Sequence, residues 1–406
     1  MKIKIIFLLH LVFLSSSFCQ NYNQVIEGFI NKTNLDSLVS YVRILSGEDS
    51  VIINDTLRLI EHRISMLDNN LTAEYLKHKM SSFGLETHDE KYSSEGRNIY
   101  AVQRGVLYPE KYFIYCAHYD AVCGYAADDN ASGVANVIEA ARILSPHQMN
   151  YSVIYAFWDE EEFGKMGSEY FVAMADSNKM QIEGVLNSEM AGWDGGNDGL
   201  MDIHTRPFGK SFSLADCVYT IDSIYNLPLK PVIYNPGTYK SDHSSFWAKN
   251  ISAIEFCEAY YGRDYNPYYH SLDDRIDKFN REFFHNMTKL GVGAISTFAL
   301  DNPLVGIENE ENAQSKNVYL LDNYPNPFNP TTMIQYSVVN TGNVSLKVYD
   351  VLGNEVATLV NEEKQTGSYE VEFQSAVSNQ QLASGIYFYQ LRAGEFVQTK
   401  KMILLR

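Results

Sequence analysis

From about residue 97 to residue 300 the chain alternates short apolar runs with stretches of helical periodicity, and this alternation restricts the fold more than any other feature. The runs Tyr112–Ala117, Ser152–Phe157 and Gly184–Ser188 are short and mostly apolar, as strands covered on both faces must be. Between them, Ala131–Leu144 and Lys165–Ala175 carry apolar residues at helical spacing. Parallel strands need long crossover connections, so strand–helix–strand repetition predicts an α/β fold: a mostly parallel mixed sheet flanked by helices.

The flanking segments differ. Residues 22–90 read as helical, with one apolar pattern at Leu57, Ile60, Ile64 and Leu67 and a second helix over Thr72–Phe83 stopped by Gly84. Residues 305–317 are polar and acidic and read as a linker. Beyond it, Ser345–Tyr349, Tyr369–Phe373, Ile386–Leu391 and Phe396–Ile403 predict a small all-β sandwich module. At roughly 100–200 residues per domain, 406 residues accommodate this division.

Lys2 and Lys4, the apolar Ile5–Leu14 (interrupted by His10) and the small-residue segment Ser17-Phe18-Cys19 form a signal peptide, residues 1–19. The expected organisation is therefore leader 1–19, catalytic domain 20–304, linker 305–317 and β-module 318–406. No later stretch is apolar for long enough to span a bilayer, so an exported protein with no transmembrane segment is expected. Cys116, Cys123, Cys217 and Cys257 remain after the leader; they permit up to two disulfides and form no Cys-x-x-Cys zinc motif. A net charge of −18 repels phosphate backbones, and no basic cluster exceeds Lys400-Lys401, so nucleic-acid binding is not expected.

Polar residues gather where the strands end. His118 and Asp120 follow the first run, Asp128 and Asp129 precede the next helix, Glu160, Glu161 and Glu162 follow the second run, and Glu189 the third. The carboxyl ends of the strands form the ligand crevice of an open α/β sheet. An imidazole and several carboxylates delivered to one crevice repel one another unless a divalent metal compensates them. Singly, each residue has a plainer reading: Asp129 or Asn130 as a helix cap, the 159–162 run as a solvated loop. Jointly, at strand ends and in order, they point to a metal site.

The segments Ala117-His118-Tyr119-Asp120, Ala127-Asp128-Asp129-Asn130-Ala131-Ser132-Gly133, Glu161-Glu162-Phe163-Gly164, Asn187-Ser188-Glu189-Met190, Ser241-Asp242-His243 and Tyr269-His270-Ser271 resemble the motif series of the secreted co-catalytic dizinc exopeptidases. That family includes bacterial leucine aminopeptidases, glutamate carboxypeptidases and glutaminyl cyclases. The resemblance implies two zinc ions, one held by His118, Asp128 and Glu189, the other by Asp128, Glu162 and His270, with Asp128 bridging. It implies Glu161 as general base and Asp120 as the carboxylate fixing the His118 tautomer, with a cis peptide between Asp128 and Asp129. Asp242 and His243 read as structural residues of the cleft. Glu189 stands where many relatives carry Asp. The family's tyrosine that steadies the tetrahedral intermediate falls at Thr238, next to Tyr239.

The Asn- and Pro-rich segment Leu321–Pro330, the segment Leu382–Tyr387 and the basic end resemble the C-terminal sorting domain of type IX secretion. That resemblance implies contact with the secretion machinery and release from, or attachment to, a bacterial cell surface. The expected activity is a secreted zinc aminopeptidase acting on peptides. A carboxypeptidase, a glutaminyl cyclase or an inactive surface-binding protein are the alternatives. The first-strand His118 weighs against a cyclase, and the full ligand set with Glu161 weighs against an inactive protein.

Overall fold

The computed structural model describes residues 22–405 apart from 65, 208, 261–263, 303, 305–319, 321–322, 324–325, 339–340, 366, 378–379 and 395. The expected leader and linker lie outside the described residues.

The chain begins with helices α1 (Gln24–Ile30) and α2 (Leu35–Leu45). Asn23 and Asn34 start them by accepting the backbone N–H of Val25 and Ser37, which supplies donors left open in a first turn. The expected helix through Leu57 does not form. In its place Val51–Ile53 (β1) and Thr56–Arg58 (β2) make a hairpin, turned by Asn54 and Asp55, both at positive φ. Such a two-residue turn favours Asn and Asp, and it leaves Leu57 69% exposed rather than in a helical stripe. Helix α3 (Met66–Ser82) covers the second expected helix.

An eight-stranded sheet follows: β3 (Glu86–Lys91), β4 (Arg97–Gln103), β5 (Tyr108–His118), β6 (Tyr151–Trp158), β7 (Gln181–Ser188), β8 (Leu200–His204), β9 (Lys230–Tyr234) and β10 (Ala253–Glu258), in the order β3-β4-β6-β5-β7-β10-β8-β9. The four central strands β6, β5, β7 and β10 are parallel, so their carboxyl ends share one edge. Strand β8 runs antiparallel to β10.

Side chains of β5 alternate between two cores, as a period of two requires. Phe113, Tyr115 and Ala117 join the larger cluster, with residues of α2, α3, α4 (Gly133–Leu144), α6 (Ser211–Ile224) and α8 (Arg281–Asp301). Tyr112, Ile114 and Cys116 face the other cluster, where Trp158 meets Phe171 of α5 (Met166–Ser177) and Phe246 of α7 (His243–Trp247). Both faces are thereby buried, which explains the unbroken apolar runs in sequence. Cys116, Cys123 and Cys257 are free thiols, so no disulfide forms among these three.

In the C-terminal segment, β12 (Gly342–Tyr349), β13 (Glu355–Lys364), β17 (Gly385–Ala393) and β18 (Phe396–Leu404) form an antiparallel sheet in the order β13-β12-β17-β18. Strand β11 (Thr331–Val338) pairs with β14 (Gly367–Gln374), and the short β15 (Ala376–Val377) with β16 (Gln380–Gln381). Their inward residues, among them Tyr336, Leu346, Tyr389 and Met402, make a hydrophobic core of their own.

Candidate metal centre

Each central strand ends by handing a polar side chain to the same cleft. His118 terminates β5 and is 2% exposed. Its Nε2 lies 3.4 Å from Asp129 Oδ1 and 3.3 Å from Glu189 Oε1, just past the end of β7. On the far side, His270 Nε2 lies 3.1 Å from Asp129 Oδ2 and 3.3 Å from Glu162 Oε2. Two three-residue groups result, His118–Asp129–Glu189 and Asp129–Glu162–His270, sharing Asp129.

The shared carboxylate is Asp129, not the expected Asp128. The loop between β5 and α4 decides this. Asp274 accepts both backbone amides, Asp128 N–H at 2.8 Å and Asp129 N–H at 3.1 Å. Asp128 then accepts the Gly192 N–H and the Asn266 side-chain amide, each at 2.8 Å, and shares a hydrogen bond with Glu258. Only Asp129 is left facing the histidines. The cis peptide also falls one bond later than expected, at Asp129–Asn130. Asn130 anchors the following turn by accepting the amides of Gly133 and Met190 and donating to Ser188 O.

The neighbouring groups aim these side chains. Asp120, fully buried, accepts the Glu161 and Glu162 amides at 3.0 and 3.2 Å, and its Oδ1 lies 3.3 Å from His118 Nδ1. One carboxylate thus orients the loop carrying Glu161 and the ring of His118. Ser241 donates to Glu189 Oε2 at 2.8 Å while accepting from Asn187. Glu161 lines the same cleft. Tyr239 instead packs edge-on against Trp247, and among the described residues Tyr260 and Tyr269 are the tyrosines lining the cleft. His243 Nε2 lies 2.9 Å from Thr238 O, and its Nδ1 stands 2.8 Å from Glu255 Oε2. Arg63 stood out in no motif. Buried, it donates to the carbonyls of Tyr119, Leu45 and Ala126, at 2.6–2.7 Å, beneath the acidic loops.

The electrostatics call for a cation. Burial raises the Glu161 carboxyl well above its ordinary value and Glu189 to about 7. Burial opposes charge on His118, yet Glu189, Asp120 and Asp129 hold its pKa well above the usual imidazole value. Asp129 and Glu162 lift His270 to about 10. Carboxylates crowded around two imidazoles, with Glu162 Oε1 buried and without a hydrogen-bond donor among the described residues, fit divalent metal. The donors are imidazole nitrogen and carboxylate oxygen, and zinc accepts both. Their spacings also agree with neighbouring ligands bound at about 2.0–2.2 Å in a tetrahedral shell.

The mixed, mostly parallel sheet with its flanking helices is a fold that solved aminopeptidases share. Residues 98–294 match the model of peptidase family M28. Residues 322–405 match the secretion system C-terminal sorting domain. Leucine aminopeptidase 2 of Trichophyton rubrum is 26% identical over 211 residues, 45% of this chain and 41% of the relative. The chain thus spans about two fifths of that relative's length. Among solved structures, the Legionella pneumophila LapA aminopeptidase superposes with a TM-score of 0.61 at 20% identity, covering 74% of this chain and 78% of the other. A Fimbriiglobus ruber glutaminyl cyclase superposes with a TM-score of 0.52 at 18% identity, covering 65% and 95%. At these identities the likeness is one of fold.

Proposed function

We propose that the chain is a secreted zinc aminopeptidase that removes residues from the amino ends of peptides. The observation that carries the reading is Asp129, with one carboxylate oxygen directed at each of two histidines, and Glu161 on the same cleft. In this reading His118, Asp129 and Glu189 hold one zinc ion, and Asp129, Glu162 and His270 the other. Zinc bound there supplies a Lewis acid and lowers the pKa of water.

The chain's own residues do the remainder. Glu161 takes a proton from the attacking water and returns it to the leaving amine nitrogen. Burial raises the proton affinity of its carboxyl. Asp120 holds the Glu161–Glu162 backbone, and its Oδ1, 3.3 Å from His118 Nδ1, favours the ring proton on that nitrogen, which leaves Nε2 as the ligand. Ser241 fixes the second oxygen of Glu189, which keeps the first on the cleft side.

The leader carries the chain out of the cytoplasm and is removed, and the C-terminal module directs it through type IX secretion. The sorting-domain match supports that second step.

The test is amino-acid release from peptides with free or blocked amino ends, with and without a chelator. Zinc-dependent release from free ends alone is the expected result. Release from blocked peptides points to a carboxypeptidase, and cyclisation of amino-terminal glutamine without hydrolysis points to a cyclase.

A further inference from the structure

The cleft has a second polar wall, set by strand pairing. In the β8–β10 register Glu255 stands directly opposite His204, and Cys257 lies two residues along β10 on the same face. All three line the cleft and are at most 4% exposed. Their nitrogen, oxygen and sulfur atoms lie within 4.8 Å of one another, close enough for a third metal site.

The hydrogen positions decide against metal. The Thr238 amide donates to His204 Nδ1 at 3.3 Å, which leaves the ring proton on Nε2, 3.9 Å from Glu255 Oε1. A cation would need the lone pair that this proton occupies. The Cys257 thiol also shares a hydrogen bond with Glu255. What the wall offers is a buried carboxylate. Glu258, 1% exposed, adds a second carboxyl group on the same cleft, one that also shares a hydrogen bond with Asp128 and accepts the Trp193 amide. Glu255 is already held by His243 Nδ1, 2.8 Å from its Oε2, and by the Cys257 thiol; a leucine side chain here would bury its remaining polar edge with no added donor, whereas a cationic end would supply one. Met190 and Tyr260, on the same cleft, provide contact for the methylene stem of a longer side chain. Lys240 also lines the cleft, but it is exposed, and its ammonium lies 5.7 Å over the Tyr260 ring, where solvent screens it.

We propose that the residue removed from the substrate carries a cationic side chain, lysine or arginine, whose charged end pairs with Glu255. This rests on the aminopeptidase reading and names its substrate class.

The experiment measures kcat/KM of the zinc-loaded full chain on dipeptides Xaa-Ala, with Lys, Arg, Leu, Phe or Glu first. Lys and Arg should exceed Leu by about tenfold or more, and Glu255→Gln should lower the Lys-to-Leu ratio by about tenfold or more. Leadership by Leu, Phe or Glu, or an unchanged ratio in a folded Glu255→Gln protein, overturns the proposal alone. Should that variant fail to fold, the wild-type ranking decides. Cleavage of none of the five overturns the aminopeptidase reading and this proposal with it.

Discussion

Asp128 and Asp129 are chain neighbours with different partners. Asp128 Oδ1 accepts the Gly192 amide at 2.8 Å, whereas Asp129 places its two oxygens 3.4 Å and 3.1 Å from the ring nitrogens of His118 and His270. Substitution should separate the two roles. Asp129→Asn should cut bound zinc from two ions to one or none per chain, and Asp128→Asn should keep both. Zinc content by atomic emission checks this, and loss of zinc from Asp128→Asn alone would reverse the assignment.

Asp120 orients Glu161, Glu162 and His118 together. Asp120→Asn should therefore lower kcat or zinc affinity by about 10–100-fold while the fold persists. Steady-state kinetics beside circular dichroism would show it.

Much of this site is readable in the sequence because strand ends are. Apolar runs mark the parallel strands, and the residues just past them must lie at one edge. The choice between Asp128 and Asp129 was not readable. It depends on Asp274 and Asn266, some 140 residues away, which hold the loop and draw Asp128 aside. Two adjacent carboxylates offer the same chemistry until that loop is folded. The β1–β2 hairpin was hidden for a different reason: Leu57 and Ile60 happen to fit helical spacing, and the Asn54–Asp55 turn carries no glycine. Arg63 gave no signal because its partners are backbone carbonyls, which carry no residue identity.

Arg63 should matter for stability out of proportion to its obscurity. Arg63→Met leaves three buried carbonyls without donors and should cost about 3 kcal/mol or more. Arg63→Lys should not recover it, since an ammonium lacks the planar fork. Denaturant midpoints of both variants test this.

Acid sensitivity should arise in part from the edge strand β3 and its neighbour β4. Arg97 draws the Asp89 carboxyl down to about 2 against the effect of burial, with Lys77 assisting. A depressed folded-state pKa gives stability that is full above the unfolded value of about 3.9 and disappears as pH falls through about 2. Asp89→Asn should therefore lose about 1 kcal/mol at pH 7 and little at pH 2, as measured by unfolding across that range.

The most direct test of the central claim is the turnover of a zinc-loaded Glu161→Gln protein on a peptide with a free amino end. With zinc content equal to wild type, kcat should fall by roughly 10²–10⁴-fold, because the ions remain and the base is gone. Near-native turnover at full zinc loading would contradict the assignment of Glu161 and the mechanism built on it.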